Sequence, residues 1–312
     1  MADRRYHVVF NPNSGTSLSL GLTAEILAGR LEANGITATI DDDDDQPMED
    51  RVARAIAGDA DVIVAAGGDG TVVAVAEAIV GTDKILGILP LGTMNAMARD
   101  VSIPLDLDQA VASLATSEVH KVDVGEVNGR IFLENVTIGV MAPLTAVREK
   151  IRGKGILAWL SFMGHVVTRL SQGRRIAMEI TAEDGRSRIE RLRAINVANG
   201  PYSEAPGQLL TRAWINDGLL TLYKFKRLTA RDAFRLAAEM MIGRWTHDDA
   251  IEIETARSVT IRVRKETVAV ALDGEVVKLD VPMTFSKRPL ALAMLLPVPP
   301  ADPVPLEQTV GA

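Results

Sequence analysis

A strand that runs directly into a glycine-rich turn constrains this chain more than any other feature. The segment 61–66 is apolar from Val62 onward, and Gly67–Thr71 follows it with three glycines, one aspartate and one hydroxyl. A helix-like apolar run, Val72–Val80, comes next. Strand, glycine turn and helix in this order bring backbone amides and a helix N-terminus to a phosphate. Asp69 would repel a bare phosphate, so it indicates a bridging Mg²⁺ or a hydrogen bond from a hydroxyl. The alternative is an ordinary glycine-rich turn.

Composition limits the classes of protein that remain. A chain of 312 residues, 47% of them hydrophobic, can bury a large core and is long enough for two domains. The net charge of −7 argues against nucleic acid as a partner. The absence of cysteine excludes disulfides, thiolate zinc sites and cysteine nucleophiles. The chain contains no run of about 20 apolar residues that could span a membrane. Its charged start lacks the apolar region of a signal peptide, so we expect a cytoplasmic protein.

The first 120 residues alternate between strand and helix patterns. This alternation predicts a parallel sheet whose ligand crevice lies beyond the carboxyl ends of the strands. Three polar turns, 11–15, 67–71 and 90–95, follow predicted strands and should therefore meet at that edge. The predicted strands are 6–10, 36–40, 61–66 and 85–89, and the predicted helices include 22–31 and 48–57.

The pattern changes near residue 121. Short alternating runs joined by hairpin signals such as Asn128-Gly129 and Asp184-Gly185 predict an antiparallel β-sandwich over 121–287. One amphipathic helix is expected at 231–242, and the proline-rich segment 297–312 is expected to be disordered. The predicted strands are 121–127, 130–138, 176–182, 188–197, 219–225, 258–263, 268–272 and 275–279.

The segment 148–175 combines an apolar helical run with basic flanks. It holds seven arginines and lysines against one glutamate, in a chain that is acidic overall. Such a helix suits peripheral contact with an anionic membrane, and a core helix with solvated basic ends is the alternative. The run Asp41–Asp45 is interpreted as a solvated loop rather than a metal site.

Only carboxylates remain as acid, base or metal groups, since the four histidines lack ligand spacing. This favours phosphoryl transfer assisted by Mg²⁺. Seven motifs occur in order, and together they resemble the diacylglycerol kinase and sphingosine kinase family of lipid kinases. GGDGT is shared with NAD kinases and phosphofructokinases, whereas the Leu-Gly-Thr-x-Asn and late Asp-Gly-Glu elements separate the lipid kinases from them. The motifs are Asn11-Pro12-x-Ser14-Gly15, Gly67–Thr71, Pro90-Leu91-Gly92-Thr93-x-Asn95, Asp123-x-Gly125, Asn199-Gly200, Asn216-Asp217-Gly218 and Leu272-Asp273-Gly274-Glu275.

The resemblance implies an α/β fold in which a parallel-sheet nucleotide-binding domain like that of NAD and diacylglycerol kinases (1–120) precedes the antiparallel β-sandwich, with 288–296 returning to the first domain. It also implies ATP as phosphate donor, Mg²⁺, a lipid hydroxyl as acceptor and Glu275 as general base, with Asp69 and Asp123 in the catalytic network. Exposed sheet edges are compatible with a homodimer. The implied nucleotide-binding residues are Asn11, Ser14, Gly67, Gly68, Asp69, Gly70, Thr71, Gly92, Thr93 and Asn95, and the implied ligands of a second, structural Mg²⁺ are Asp217 and the carbonyls of Trp214 and Leu219.

Several positions depart from the family pattern. Thr16 stands where relatives often carry lysine, Val73-Ala74 replaces Asn-Glu, and Ala96 replaces an aspartate. The segment 203–207 replaces a run of three glycines. These departures leave two alternatives to a lipid kinase: a nucleotide- or lipid-binding protein of the same fold without turnover, and a soluble kinase like the NAD kinases.

Overall fold

The computed structural model describes residues 4–139, 175–204, 212, 216–226, 229, 231, 232, 235, 238, 239 and 244–298. Three predictions therefore fall wholly or largely outside the described residues. They are the membrane-contact segment, of which only Arg175 is described, most of the helix at 231–242, and the tail beyond Val298.

The N-terminal part is the predicted parallel sheet with helices around it. Its strands lie in the order β2–β1–β3–β4, and all three neighbouring pairs are parallel. β3 lies between β1 and β4 and is buried along its whole length, which is typical of a strand in the middle of a parallel sheet. The strands are β1 Tyr6–Phe10, β2 Ala38–Asp41, β3 Val62–Gly67 and β4 Ile85–Pro90, and the helices are α1 Gly15–Leu20, α2 Ala24–Ala33, α3 Met48–Ala57, α4 Asp69–Ile79, α5 Ala96–Asp100 and α6 Leu107–Thr116.

Helix α4 begins three residues before the apolar run that marks it in the sequence. Gly68 is its N-cap, and the Gly68 carbonyl accepts hydrogen bonds from the amides of Thr71 and Val72 at 3.0 and 3.1 Å. Asp69 and Gly70 therefore belong to the first helical turn rather than to a loop. The positive end of the helix dipole lies at the GGDG segment itself.

The remaining strands pair antiparallel with one another, as the alternating runs predict. Six form a second sheet in the order β12–β11–β10–β7–β14–β15, and β13, β8 and β9 extend the first sheet beyond β16. The two sheets enclose a separate apolar core. The strands are β5 Glu118–Val127, β6 Arg130–Phe132, β7 Asn135–Gly139, β8 Ile176–Ala182, β9 Ser187–Leu192, β10 Ala194–Ala198, β11 Leu220–Phe225, β12 Ile251–Ala256, β13 Ser258–Arg262, β14 Thr267–Leu272, β15 Glu275–Asp280 and β16 Met283–Leu296.

Strand β16 joins the parallel and antiparallel parts. Met283 and Phe285 near its start lie in the sandwich core, whereas Leu292 and Met294 lie in the core of the parallel sheet. Met294 pairs in parallel with Leu86 of β4. β5 runs antiparallel beside β16, with a register shift between Arg288 and Leu292.

Two runs that the sequence presents as single strands are each divided, so those predictions are wrong. The run 130–138 breaks between β6 and β7, where the carboxylate of Asp273 accepts hydrogen bonds from three successive backbone amides. The run 188–197 breaks at Arg193, and its halves β9 and β10 enter different sheets. β12 was missed because Glu252 and Glu254 interrupt its apolar residues, yet both bind Lys224.

Candidate active site

The three turns that follow β1, β3 and β4 meet at the carboxyl edge of the parallel sheet. The Leu91 amide donates to the Gly67 carbonyl at 2.8 Å, and Thr16 donates its amide to the Leu91 carbonyl at 3.0 Å. A Cβ added to Gly92 would lie 2.6 Å from the Cα of Gly68, so the two turns touch backbone to backbone. Only glycine permits this approach. The meeting of the turns that the strand order predicts is therefore present.

Asp69 fixes the relation between two of these turns. Its Oδ2 accepts the Asn95 amide at 3.0 Å, and its Oδ1 accepts the Ala96 amide at 2.7 Å. These amides open helix α5, so the carboxylate caps one helix while it lies in the first turn of another. Each carboxylate oxygen has two acceptor sites, so each keeps capacity for a water or a hydroxyl on the cleft side.

Asn95 shapes the loop that carries Thr93. Its side chain accepts from the Gly92 amide at 2.8 Å and donates to the Gly92 carbonyl at 3.0 Å, which closes the turn on itself. Asn95 itself has a left-handed backbone, with φ of 48°. Thr93 is exposed at the tip, and Arg99 Nε donates to the Met94 carbonyl at 2.9 Å. A guanidinium therefore lies beside the loop.

The first turn is held by its own polar side chains. Asn11 Oδ1 accepts the Asn13 amide at 3.0 Å, and the hydroxyls of Ser14 and Ser17 lie 2.6 Å apart. Thr16 Oγ1 donates to the Gly92 carbonyl at 3.2 Å. The residue that stands in place of a lysine thus ties the first turn to the third.

Glu275 reaches this edge from the antiparallel part of the chain. It is exposed at the start of β15, after a hairpin turn in which Asp273 and Gly274 have φ of 45° and 88°. A Cβ added to Gly70 would lie 3.4 Å from Glu275 Oε1. The carboxylate therefore stands against the first turn of α4, although more than 200 residues separate the two in the sequence.

Asp273 anchors the hairpin that carries Glu275. Its carboxylate accepts the amides of Leu133, Glu134 and Asn135 at 2.7 to 2.9 Å. Burial raises the pKa of Asp273 to about 6, although these amide hydrogen bonds oppose the rise. Burial, and then the neighbouring Asp273 charge, raise the pKa of Glu134 well above its usual range. Acidic groups are thus concentrated behind the Glu275 hairpin.

Asp123 lies in β5 opposite the register shift of β16. Its Oδ1 accepts the Leu290 amide at 2.8 Å, and its Oδ2 accepts the Gly218 amide at 3.0 Å. It is almost fully buried. In this structure Asp123 joins β5, the irregular part of β16 and the turn 216–218. Its predicted place in the catalytic network stays a prediction.

The second predicted metal site holds a lysine. Lys287 Nζ lies 2.9 Å from Asp217 Oδ1 and 3.0 Å from the Leu219 carbonyl oxygen, which are two of the three implied ligands. The third, Trp214, lies outside the described residues. Because an ammonium already binds these oxygens, the residues in this arrangement do not fit a divalent cation.

Arg212 links α5 to the antiparallel part. Its Nε and amide both bind the Asp100 carboxylate, the amide at 2.8 Å, and Nη1 donates to the Asn199 carbonyl at 3.2 Å. The side chains of Arg212 and Asp100 are both almost completely buried. The pair fixes the end of the helix that Asp69 caps.

Comparison with known families identifies the chain. Residues 5–127 match the model of the diacylglycerol kinase catalytic domain. Residues 135–296, about half of the chain, match the model of the YegS C-terminal NAD kinase beta sandwich-like domain. The chain belongs to the diacylglycerol kinase and YegS family of lipid kinases.

Relatives agree with this assignment. The lipid kinase is 27% identical over 280 residues to a protein named diacylglycerol kinase from Bacillus subtilis, an alignment that covers 87% of this chain and 90% of that protein. It is 35% identical over 162 residues to a protein named "Probable lipid kinase YegS-like" from Pseudomonas syringae pv. tomato, covering 51% of this chain and 52% of that one. The enzyme is thus a phosphotransferase of the lipid kinase class.

A solved structure shares the fold of the lipid kinase. The crystal structure of a diacylglycerol kinase from Bacillus anthracis strain Sterne superposes with a TM-score of 0.67 at 20% identity, covering 95% of this chain and 98% of that one. The predicted combination of a parallel-sheet domain with an antiparallel sandwich is confirmed. Among the described residues, no helix is long and apolar enough to cross a membrane.

Sequence reasoning missed four residues of this region of the lipid kinase. The sequence pattern does indicate that Lys287 is buried, because it follows Met283 and Phe285 at every second position and so shares their inward face of β16. Arg99 is a cation one helical turn after the Thr93 loop. Glu134 and Arg212 had no local signal, because their neighbours come from distant parts of the chain.

Proposed function

We propose that this lipid kinase transfers the γ-phosphate of ATP·Mg²⁺ to the hydroxyl of a lipid such as diacylglycerol, with Glu275 as general base. The observation that carries the proposal is the position of the Glu275 carboxylate beside Gly70, in the first turn of α4. A carboxylate at that point stands beside the segment that is built to receive phosphates. Positioning and charge supply most of the catalysis in phosphoryl transfer, and one well-placed base adds to them.

The turns at the sheet edge would hold the nucleotide. The backbone of 67–71 opens α4, whose positive end attracts the phosphates, and Asn11, Ser14, Thr93 and Asn95 shape the adjoining walls. Arg99 would add positive charge at the rim. Asp69 would accept hydrogen bonds from the water shell of the magnesium ion that arrives with ATP. These roles are supported by the convergence of the three turns.

Glu275 would act on the acceptor. Its carboxylate would take the proton from the lipid hydroxyl while that oxygen forms a bond to the γ-phosphorus and the bond to the β-phosphate oxygen breaks, leaving ADP. The hydrogen bonds of Asp273 hold the hairpin, so Glu275 is presented from a fixed turn. A base held in this way need not be ordered when substrate binds.

The lipid must reach this site from a membrane. The sequence of 148–175 supplies apolar residues between basic flanks, which is the composition of a surface-bound helix. We infer that this segment contacts anionic lipid, with an affinity that falls as salt rises. Vesicle flotation would test this: replacing Trp159 and Phe162 by serine should abolish binding, and unchanged binding would contradict it.

The experiment for the reaction itself uses γ-labelled ATP and Mg²⁺ with lipids in mixed micelles. Diacylglycerol, monoacylglycerol, sphingosine and ceramide are offered separately, and NAD serves as the soluble acceptor. Label in one lipid would establish the activity and the substrate class. Label only in NAD would contradict a lipid acceptor, and no label with ATP still bound would favour a protein without turnover.

A further inference from the structure

The turn 216–219 and strands β5 and β16 surround one buried ammonium group. Lys287 Nζ donates to Asp217 Oδ1 at 2.9 Å and to the Leu219 carbonyl at 3.0 Å, and it lies 3.7 Å from Asp123 Oδ2. The Lys287 side chain is only 1% exposed. Three oxygens from two separate segments thus converge on one positive charge.

This geometry resembles the ligand set of a cation rather than a surface ion pair. A carboxylate and a backbone carbonyl from the same turn, 217 and 219, face one point, as hard-cation ligands do. The same turn is tied to β5, because Asn216 Oδ1 accepts the Asp123 amide at 2.9 Å and Gly218 donates to Asp123 Oδ2. The charge at the centre therefore holds the turn against both strands.

We propose that Lys287 is a built-in cation that replaces a structural divalent metal at this site. An ammonium and two carboxylates leave one net negative charge, so the site is close to balanced without a metal. A divalent ion bound to the same Asp217 and Leu219 oxygens would lie beside the ammonium, and the two cations would repel each other strongly. This inference concerns the stability of the fold and does not depend on the proposed reaction.

The arrangement also explains why a lysine is tolerated in a core strand. Lys287 follows Met283 and Phe285 on the inward face of β16, where an unpaired charge would be costly. Its pairing with Asp217 and Asp123 offsets that cost, whereas removal of the lysine would leave two carboxylates facing each other. Loss of the charge, rather than loss of volume, should therefore dominate the effect of substitution.

Thermal unfolding of the full chain without nucleotide or lipid tests the proposal. In wild type, 10 mM MgCl₂ and EDTA should give the same Tm to within about 1 °C, because a ligand that does not bind the native state does not stabilise it. Lys287→Ala should lower the Tm in EDTA by roughly 5–10 °C, and Mg²⁺ or Mn²⁺ should restore part of this loss by entering the vacated site. Lys287→Met should lower the Tm in EDTA by a similar amount. Metal should restore less of this loss, because the methionine side chain fills the space that the metal would enter.

Arg288→Ala is the matched control, since Arg288 is the next residue of β16 and its ion pair within the described part of the chain is a partly exposed one with Glu126. It should change the Tm by no more than about 2 °C, with no response to metal. Two results would overturn the proposal. One is a Mg²⁺-dependent rise in the wild-type Tm that Asp217→Asn abolishes, and the other is a Lys287→Ala Tm equal to that of Arg288→Ala. If Lys287→Ala does not fold, the effect of Mg²⁺ on the Tm of wild type and of Asp217→Asn still shows whether the native site binds a metal.

Discussion

Removal of the Asp273 carboxylate should separate the hairpin that carries Glu275 from the strands behind it. Asp273 accepts three backbone amides, those of Leu133, Glu134 and Asn135. Each amide left without a partner in a buried site costs about 1–3 kcal/mol, and water that enters the vacated space recovers part of it. We therefore expect Asp273→Ala to lower the free energy of unfolding by about 3–5 kcal/mol, or the Tm by about 10 °C.

Asp273→Asn distinguishes the effect of the hydrogen bonds from the effect of the charge, because it removes the charge and keeps one acceptor oxygen. Its remaining carbonyl oxygen can still accept from Glu134 and Asn135, which share Oδ1 in the native carboxylate, so only the Leu133 amide loses its acceptor. The expected cost is about 1–2 kcal/mol. Kinase activity should follow the same order, with Asp273→Asn closer to wild type than Asp273→Ala, because the hairpin sets the position of Glu275.

Urea denaturation followed by circular dichroism gives the stability of each variant. The matched control is Asp184→Ala, since Asp184 begins another Asp-Gly hairpin but is exposed, and its partner among the residues that the structure describes is the nearby Arg186. Its free energy of unfolding should change by less than about 1 kcal/mol. Equal losses for Asp273→Ala and Asp184→Ala would refute the anchoring role, as would full kinase activity in Asp273→Ala.

Three further predictions follow from the same region. Gly92→Ala should lower both stability and ATP affinity, measured by thermal shift and calorimetry, because its Cβ would meet Gly68 at 2.6 Å; unchanged affinity would contradict the close approach. Glu134→Gln should gain stability relative to wild type as the pH rises from 5 to 8. The pKa values of Glu134 and Asp273 are raised in the folded protein, so these groups stabilise it below about pH 4, and this stabilisation is lost as the pH rises and both groups ionise. Equal pH profiles for the variant and wild type would contradict this. Arg212→Met should cost about 3–5 kcal/mol in urea by leaving Asp100 buried and unpaired, and a loss below 1 kcal/mol would contradict that pairing.

The parallel sheet was predictable because its signals are local. Strand β1 and helix α3 have the bounds that hydrophobic periodicity predicts, and parallel pairing then places the three turns at one edge. The position of Glu275 was available only through the resemblance to lipid kinases. No local pattern shows that residues 70 and 275 are neighbours.

The divided strands and the ionic contacts could not be predicted, because they depend on residues that are distant in the sequence. The break between β6 and β7 is fixed by Asp273, which lies about 140 residues further along the chain. Lys287 meets Asp217 across 70 residues, so a carboxylate that suits a metal in the sequence has an ammonium partner in the fold. Periodicity reports which face of a strand is buried, but it does not report which charges meet there.

The most direct test of the proposed mechanism is the rate of phosphate transfer to the preferred lipid by Glu275→Gln, with ATP affinity measured on the same protein. Loss of a general base should lower kcat by about 10²–10⁴-fold. The dissociation constant for ATP should stay within about twofold of wild type, because Glu275 acts on the acceptor and glutamine preserves its shape. A kcat equal to that of wild type would contradict the role of Glu275 as the base.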